Sequence, residues 1–331
     1  MNYKYCDWWT IYKIGQRVAN HCSYQDRIFL AGDAIHTHSP KGGQGMNVST
    51  QDTYNLAWKI AGVIRNQLNP SVLSTYETER LPVAHDLISL DKDMANVLTA
   101  RANGDEAEAQ RIYARLQKTN GTFLVYESNA SIAKDGEKAR QAAAPGLQLG
   151  VRFPHAPVWN QSNSGPGSAQ AVHKSKGLWR LCVFAGDVSK SEQLAKANSL
   201  GARIFALSKR YPAASSKQAK WLQTLLFHSS PLEAVECKDF HDTFFPPDEI
   251  MGRDYFTIFA DRKGEDDGHE GTHKAFEIDD EKGALVLVRP DQTVSWVGYL
   301  DDLPMLEEFL SGFMIPRKAQ ELERKDSPQG N

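Results

Sequence analysis

The sequence lacks the features of several large protein classes. Its four cysteines are far apart and contain no C-x-x-C pair, so the pattern disfavours a disulfide framework. No apolar run approaches the ~20 residues that a membrane span requires. The formal net charge of −3 offers no basic field for nucleic acid. We therefore expect a cytoplasmic protein with no membrane or nucleic-acid partner.

A dinucleotide-binding fingerprint is also absent, because no G-x-G-x-x-G follows a predicted strand. What the sequence has instead is a dense block from Arg27 to Lys59. A short apolar run at residues 28–31 has the pattern of a buried strand and ends in Gly32-Asp33. A loop rich in proline and glycine follows, and then a helix that we predict to end near Asn66. Its predicted apolar face contains Tyr54, Ala57, Ile60, Ala61 and Ile64.

This block predicts a cradle for a polar, partly anionic ligand. Asp33 would lie at the carboxyl end of a strand, where open α/β sheets bind ligands, and its carboxylate can accept hydrogen bonds from hydroxyl groups. The glycines would let the backbone approach a flat ring. The N–H groups at the start of the helix favour negative charge. The alternative is a strand–loop–helix turn whose glycines only relieve strain.

The block resembles a known family. Its resembling residues are Gly32-Asp33-Ala34, His36, Pro40, Gly42, Gly45 and Asn47. They resemble the second flavin motif of the FAD-dependent aromatic hydroxylases, which are also called the para-hydroxybenzoate hydroxylase group. Within this group the resemblance is closest to phenol 2-monooxygenase. Three further phrases resemble the same enzymes: DWWTIYKIGQR at 7–17, the TYE-x-ER phrase, whose last five positions are residues 76–80, and LVRPDQTVSWVG at 287–298.

The resemblance implies a fold class, a domain order and an activity. The fold would be α/β, with a partial FAD-binding module over 1–140, a linker over 141–176, a thioredoxin-like domain over 177–316 and a polar tail over 317–331. The activity would be hydroxylation of a small phenolic substrate with FAD, NADPH as reductant and O2 as co-substrate. In that family the dinucleotide fingerprint precedes the second flavin motif by several hundred residues. We therefore expect this chain to be the C-terminal part of a longer enzyme and to be inactive by itself.

The resemblance also gives roles to the loop residues. Asp33 would hold the ribityl chain of FAD, and the backbone from Gly43 to Asn47 would contact the edge of the isoalloxazine ring. The candidate cofactor-binding residues are therefore Asp33, Pro40, Gly43, Gln44, Gly45, Met46 and Asn47. The residues that activate the phenol would lie outside this chain, so no catalytic residue is named.

Some residues of this region have two interpretations. The H-x-H pair of His36 and His38 has no third or fourth ligand nearby in the sequence, so we expect no metal. We interpret His36 as loop structure or as a contact beside the flavin. Lys41 either stabilises flavin charge or is an ordinary surface lysine. Trp8 and Trp9 are predicted to belong to the core, because aromatic residues in a strand pattern usually do.

The second half alternates strands and helices. We predict strands at 178–185, 232–236, 255–260, 284–288 and 293–297, and helices at 189–200 and 303–313. Arg289-Pro290-Asp291-Gln292 has the composition of a hairpin turn. This order resembles a thioredoxin-like domain. After the first strand comes Gly186-Asp187-Val188 and no C-x-x-C, so thiol redox chemistry is disfavoured.

The alternative is a non-catalytic function. In the resembling family the thioredoxin-like tail packs at or near a subunit interface. A chain that retains this tail could act only by association, as a homodimer or with a full-length homologue. The absent dinucleotide fingerprint favours this alternative for the chain by itself, and the intact flavin motif favours the enzyme.

Overall fold

Two compact units make up the chain in the computed structural model. The first contains Met1–Thr53 and Glu77–Thr122, and the second contains Tyr54–Tyr76 and Phe123–Asn331. The structure describes residues 4–10, 15–40, 43–101, 106–108, 110–111, 114, 124–134, 141–211, 220–261 and 271–317. Lys41 and Gly42 lie outside the described residues. The predicted domain boundaries at residues 140, 176 and 316 stay a prediction.

Short strand pairs and two long helices supply the first unit. Four two-residue strands form two antiparallel pairs: β1 (Arg17–Val18) pairs with β4 (His36–Thr37), and β2 (Ser23–Tyr24) pairs with β3 (Ile28–Phe29). Helix α1 (Gly45–Ile64) confirms the helix predicted after the glycine loop. Helix α2 (Thr75–Arg101) runs through Pro82. The two helices contribute residues to both units.

Two sequence predictions about exposure in this unit are wrong. The run at 28–31 is not a buried strand: only Ile28 and Phe29 pair, and Ile28 is 60% exposed. A hairpin of two-residue strands has too few neighbours to cover its side chains. Trp8 and Trp9 are 71% and 73% exposed and are not core. Residues 8–10 form no strand, so their aromatic composition has no sheet to pack into.

The buried face of α1 also differs from the predicted one. Tyr54, Ala57 and Ile64 are exposed. Its buried side chains include the apolar Leu56 and Trp58. They also include three polar residues, Asp52, Asn55 and Lys59. Lys59 Nζ donates a hydrogen bond to Asn55 Oδ1 at 2.9 Å. Polar side chains with partners can be buried, and hydrophobic periodicity does not detect such a face.

A seven-stranded sheet dominates the second unit, with the strand order β13-β12-β7-β8-β11-β5-β6. Its strands are β5 (Pro157–Asn160), β6 (Pro166–Ser168), β7 (Trp179–Phe184), β8 (Leu222–His228), β11 (Ile258–Ala260), β12 (Ala284–Val288) and β13 (Val294–Gly298). Strands β7, β8 and β11 are parallel, and the other neighbours are antiparallel. A separate hairpin joins β9 (Pro247–Asp248) to β10 (Gly252–Arg253).

The order of the central strands confirms the predicted thioredoxin-like domain. Helix α3 (Ser191–Arg210) connects the parallel pair β7 and β8, and the hairpin β12–β13 leads into the closing helix α5 (Leu303–Ser311). A short helix α4 (Thr272–Ala275) precedes β12. The strand predicted at 232–236 is wrong, because Leu232–Ala234 is a 3-10 turn. The strand that pairs with β7 in parallel is β8, which the sequence analysis missed.

Two strands lie within the segment predicted as a linker. Strands β5 and β6 form a hairpin at 157–168, β5 pairs with β11, and β6 is the edge strand of the sheet. A proline- and glycine-rich composition is compatible with an edge strand, because the edge needs fewer backbone donors.

Among the described residues, no helix is long and apolar enough to cross a lipid bilayer.

Both faces of the sheet are covered. Every residue of β7, β12 and β13 is buried. Leu181 and Val183 belong to one apolar cluster, and Cys182 and Phe184 belong to the other. This alternation is why β7 has a continuous run of buried residues.

The turn after β7 occupies the position of the missing dithiol. Gly186 has a φ of +69°, and its N–H donates a hydrogen bond to His273 Nε2 at 3.2 Å. A Cβ at Gly186 would lie 1.7 Å from the carbonyl oxygen of Asp280. Only glycine fits this turn.

Candidate functional site

A cavity of about 770 Å³ lies beside the loop between β3 and α1 in the first unit. Five of the seven predicted cofactor-binding residues line it, namely Asp33, Pro40, Gly43, Gly45 and Met46. The other two predicted residues, Gln44 and Asn47, are not part of its wall. The wall also contains Ala31, Gly32, Thr37, His38, Ser39, Ser49 and Thr53, which the sequence analysis did not name as ligand contacts.

Asp33 presents an exposed carboxylate to this cavity. It lies in a 3-10 turn, Gly32–Ala34, immediately after β3. Within the described part of the chain, the structure gives the Asp33 carboxylate no hydrogen bond and no ion pair. An ionised carboxylate with open acceptor sites suits a ligand that carries hydroxyl groups.

At two glycines of the wall, a side chain would crowd its neighbours. Gly32 has a φ of +61°, and a Cβ there would lie 2.9 Å from Ser49 Oγ. Gly45 is the first residue of α1, and a Cβ there would lie 3.0 Å from His38 Nε2. The first N–H groups of a helix have no acceptor within the helix and carry partial positive charge. This end of the cavity therefore favours an electron-rich group.

A buried carboxylate on α1 fixes the turn that carries Asp33. Asp52 is 1% exposed and accepts hydrogen bonds from Gly32 N at 3.0 Å, His36 Nε2 at 3.1 Å and Arg80 Nε at 2.6 Å. Burial by itself would raise the pKa of Asp52, but the hydrogen bonds from His36 and Arg80 and the Arg80 charge hold this pKa below its usual value. Asp52 therefore remains ionised and holds Gly32 in place.

A second carboxylate, on α2, holds the β2–β3 hairpin. Glu77 accepts hydrogen bonds from the backbone N–H groups of Cys22 at 3.0 Å and Ser23 at 2.8 Å. His21 Nδ1 lies 3.0 Å from the same carboxylate. Burial would raise the pKa of Glu77, but hydrogen bonds from His21, Ser23 and Cys22 lower it to about 2.

A third carboxylate, also on α2, holds the far wall of the cavity. Asp91 accepts hydrogen bonds from the Ser39 backbone N–H at 2.8 Å and from Gln16 Nε2 at 2.7 Å. Burial would raise the pKa of Asp91, but the Ser39 and Gln16 hydrogen bonds lower it. Asp52, Glu77 and Asp91 thus tie the loops of the first unit to its helices. Glu77 and Arg80 belong to the TYE-x-ER phrase, and this phrase was the sequence signal that could have identified them.

The H-x-H pair is divided between two environments. His36 is fully buried and contacts Asp52, which agrees with the loop interpretation of this residue. His38 lines the cavity, and its Nδ1 lies 2.8 Å from the Ser39 carbonyl oxygen. No group of three or more His, Cys, Asp or Glu side chains in the described ranges could hold a metal ion.

The glycine loop, the exposed Asp33 carboxylate and the thioredoxin-like sheet are parts of a flavin-binding α/β protein. Family comparison matches both halves of the chain. Residues 4–91 match the model of an FAD binding domain, and residues 124–318 match that of the phenol hydroxylase C-terminal dimerisation domain. The chain therefore belongs to the phenol hydroxylase family of FAD-dependent aromatic hydroxylases, which confirms the family that the sequence resembled.

Curated relatives extend over almost the whole chain. The FAD-dependent monooxygenase ankC of Aspergillus thermomutatus is 37% identical over 320 residues, which cover 95% of this chain and 52% of ankC. The phenol 2-monooxygenase fsqG of Aspergillus fumigatus is 35% identical over 320 residues, which cover 96% of this chain and 53% of fsqG. The chain spans about half the length of these relatives.

A solved structure shares the fold. The flavin-dependent monooxygenase PieE, crystallised in complex with FAD and substrate, matches with a TM-score of 0.53 and 19% identity. The match covers 91% of this chain and 49% of PieE. At this identity the likeness shows the fold alone.

Proposed function

We propose that this chain carries the ring-side half of the FAD site of a monooxygenase that hydroxylates a phenolic ring, of the phenol 2-monooxygenase type. NADPH is the proposed reductant and O2 the co-substrate. The observation that carries the proposal is the cavity of about 770 Å³ with Asp33 in its wall, inside the segment that matches an FAD binding domain. The names of the relatives ankC and fsqG support the same activity.

The donor set of the cavity fits the central and ring parts of FAD. Asp33 would accept hydrogen bonds from the ribityl hydroxyls. The backbone of Gly43 and Gly45 would approach the ring, because neither residue has a side chain in the way. The N–H group of Met46, in the cavity wall, and those of Gln44 and Asn47, beside the wall, would lie at the electron-rich edge of the ring. Bound FAD supplies the redox chemistry of the hydroxylation.

The remaining residues near the cavity have supporting roles in this proposal. Pro40 shapes the loop through its fixed φ. Asp52 and Arg80 do not line the cavity, and they act by holding the Gly32–Asp33 turn. Without the hydrogen bonds of Asp52 to Gly32 and Arg80, the turn could move, and the Asp33 carboxylate would lose its proposed position beside the ribityl chain.

A second function has independent support. The model that matches residues 124–318 is described as a dimerisation domain. The chain by itself would then have no hydroxylase activity, and it would act by associating with a second copy or with a longer homologue. The domain order 1–140, 141–176, 177–316 and 317–331 is part of this proposal.

Flavin binding tests the proposed site. We expect the 331-residue chain to be colourless after gel filtration, because in this proposal the cavity would contact only part of FAD. Ligand-detected NMR should nevertheless show weak binding of riboflavin, FMN and FAD with similar dissociation constants. Asp33→Ala should weaken all three by about 10- to 100-fold, since a charge-assisted hydrogen bond contributes about 1.5–3 kcal/mol. Asp86→Ala, at an exposed position of α2, is the matched control.

A chimera tests the activity and separates the two functions. Fusing this chain behind the first half of ankC should give a yellow protein that oxidises NADPH in the presence of a phenol. The Asp33→Ala chimera should lose the flavin. A chimera that folds and dimerises but never retains FAD would reject the enzyme and leave association as the function.

A further inference from the structure

Among the described residues, an arginine without a counter-charge lies in the interior of the second unit. Arg180, on β7, is 0% exposed. Its Nη1 donates one hydrogen bond, to the Leu178 carbonyl oxygen at 3.2 Å. Its Nε and Nη2 are buried and have no hydrogen-bond partner. Arg289, the other fully buried arginine of this unit, differs because it forms an ion pair with Asp291.

The two unpartnered nitrogens belong to one edge of the guanidinium plane. Nε–H and one Nη2–H are parallel, and this pair of donors is the fork that binds both oxygens of a carboxylate. Arginine stays protonated in proteins. A buried charge without a partner is strongly destabilising, so buried charges are paired. Within the described residues the fork is free, and its geometry fits a planar oxyanion such as a carboxylate.

The part of the chain that the structure describes supplies no anion beside Arg180. The described residues form no ion pair with Arg180, and the nearby ionisable groups are the thiol of Cys182 and the phenol of Tyr54. Burial raises the pKa of Cys182, so the thiol stays protonated. Burial and the Arg180 charge lower the pKa of His173 to about 3, so this imidazole is neutral.

His173 offers a second donor position. Cys182 Sγ lies 3.8 Å from His173 Nε2, and His173 Nδ1 is buried with no hydrogen-bond partner. Because the thiol can donate to Nε2, the ring proton belongs on Nδ1. Two groups with unused donors, Arg180 and His173, thus lie close enough for the charge of one to act on the other.

We propose that Arg180 binds a small carboxylate-type anion from solution, through its Nε–Nη2 fork, in the interior of the thioredoxin-like domain. The site lies in the second unit and takes no part in the flavin cavity. The anion provides the charge that the described residues do not supply beside β7.

Formate is the probe for this site. Thermal unfolding of the 331-residue chain is recorded with increasing sodium formate, at an ionic strength kept constant with sodium chloride. The midpoint should rise with the logarithm of formate concentration, because a ligand that binds only the folded state stabilises it by mass action. The NMR line of isotope-labelled formate should broaden with the protein present. An equal midpoint in formate and in chloride overturns the proposal and leaves buried water as the partner.

Two variants localise the binding. Arg180→Lys keeps the charge but loses the fork, and it should weaken formate binding at least tenfold. Arg152→Lys is the control, because Arg152 is exposed and donates to Gln292 in the same unit. Formate binding by Arg180→Lys within twofold of the parent chain overturns the proposal. If Arg180→Lys does not fold, the comparison of formate with chloride on the parent chain decides.

Discussion

Arg80 Nε donates a hydrogen bond to Asp52 Oδ1 at 2.6 Å, and both side chains are buried. The two residues stand on different helices of the first unit. Asp52 also accepts a hydrogen bond from Gly32 N, so the pair links α2 to the turn that carries Asp33. Removal of either partner leaves a buried charge that has lost this ion pair.

Arg80→Ala should destabilise the first unit by about 3–5 kcal/mol, the usual effect of removing one partner of a buried pair. Urea denaturation, followed by far-UV circular dichroism, measures the free energy of unfolding. Arg111→Ala is the control, because its ion pair with Glu108 at 3.6 Å is largely exposed. That substitution should change the free energy by less than about 1 kcal/mol. Equal effects of the two substitutions would contradict a structural role of the Arg80–Asp52 pair.

Glu77 should make the first unit sensitive to acid. Its pKa in the folded protein, about 2, lies below its value in the unfolded chain, about 4.3. The stabilisation is therefore complete above the unfolded value and is lost as the pH falls toward 2. Glu77→Gln should be less stable than the parent chain at neutral pH, and the difference should shrink between pH 4.5 and 2. Denaturation at a series of pH values checks this, and a difference that does not depend on pH would refute it.

The sheet domain should have no thiol redox activity. Cys182 is fully buried, and burial raises its pKa. We expect no reduction of insulin by the chain. Under native conditions, iodoacetamide should modify the exposed Cys6 and leave the buried Cys22 and Cys182 unmodified, as mass spectrometry would show. Insulin reduction that disappears in Cys182→Ala would overturn this assignment.

The chain should run as a dimer in gel filtration with light scattering, because residues 124–318 match a dimerisation domain. The β9–β10 hairpin is the expected contact. At its tip Ile250 is 93% exposed and Met251 is 47% exposed. Ile250→Asp should shift the mass toward the monomer. Ile64→Asp is the control, since Ile64 is 75% exposed but lies outside the matched segment. A monomer at all concentrations, or equal effects of both substitutions, would contradict this prediction.

Local chemistry explains which parts of the fold were predictable. The turn at Arg289–Gln292 carries its own signal, and the strands on either side of it were found. Strand β8 was missed because its run, LQTLLFH, is typical of a buried helix as much as of a strand. The buried face of α1 was missed because Asp52 has its partner 28 residues further along the chain. The loop glycines could be predicted from the sequence. The network that holds the loop could not, because it depends on long-range hydrogen bonds.

The Gly186 turn also limits what evolution and engineering can do with this domain. Its positive φ and the nearby Asp280 carbonyl group exclude any side chain, including that of cysteine. A point mutation at this position cannot create half of an oxidoreductase dithiol without first moving the loop before β12. Backbone geometry as well as sequence therefore excludes a dithiol at this turn, and substitutions in this domain can more readily change its surfaces than add thiol redox chemistry.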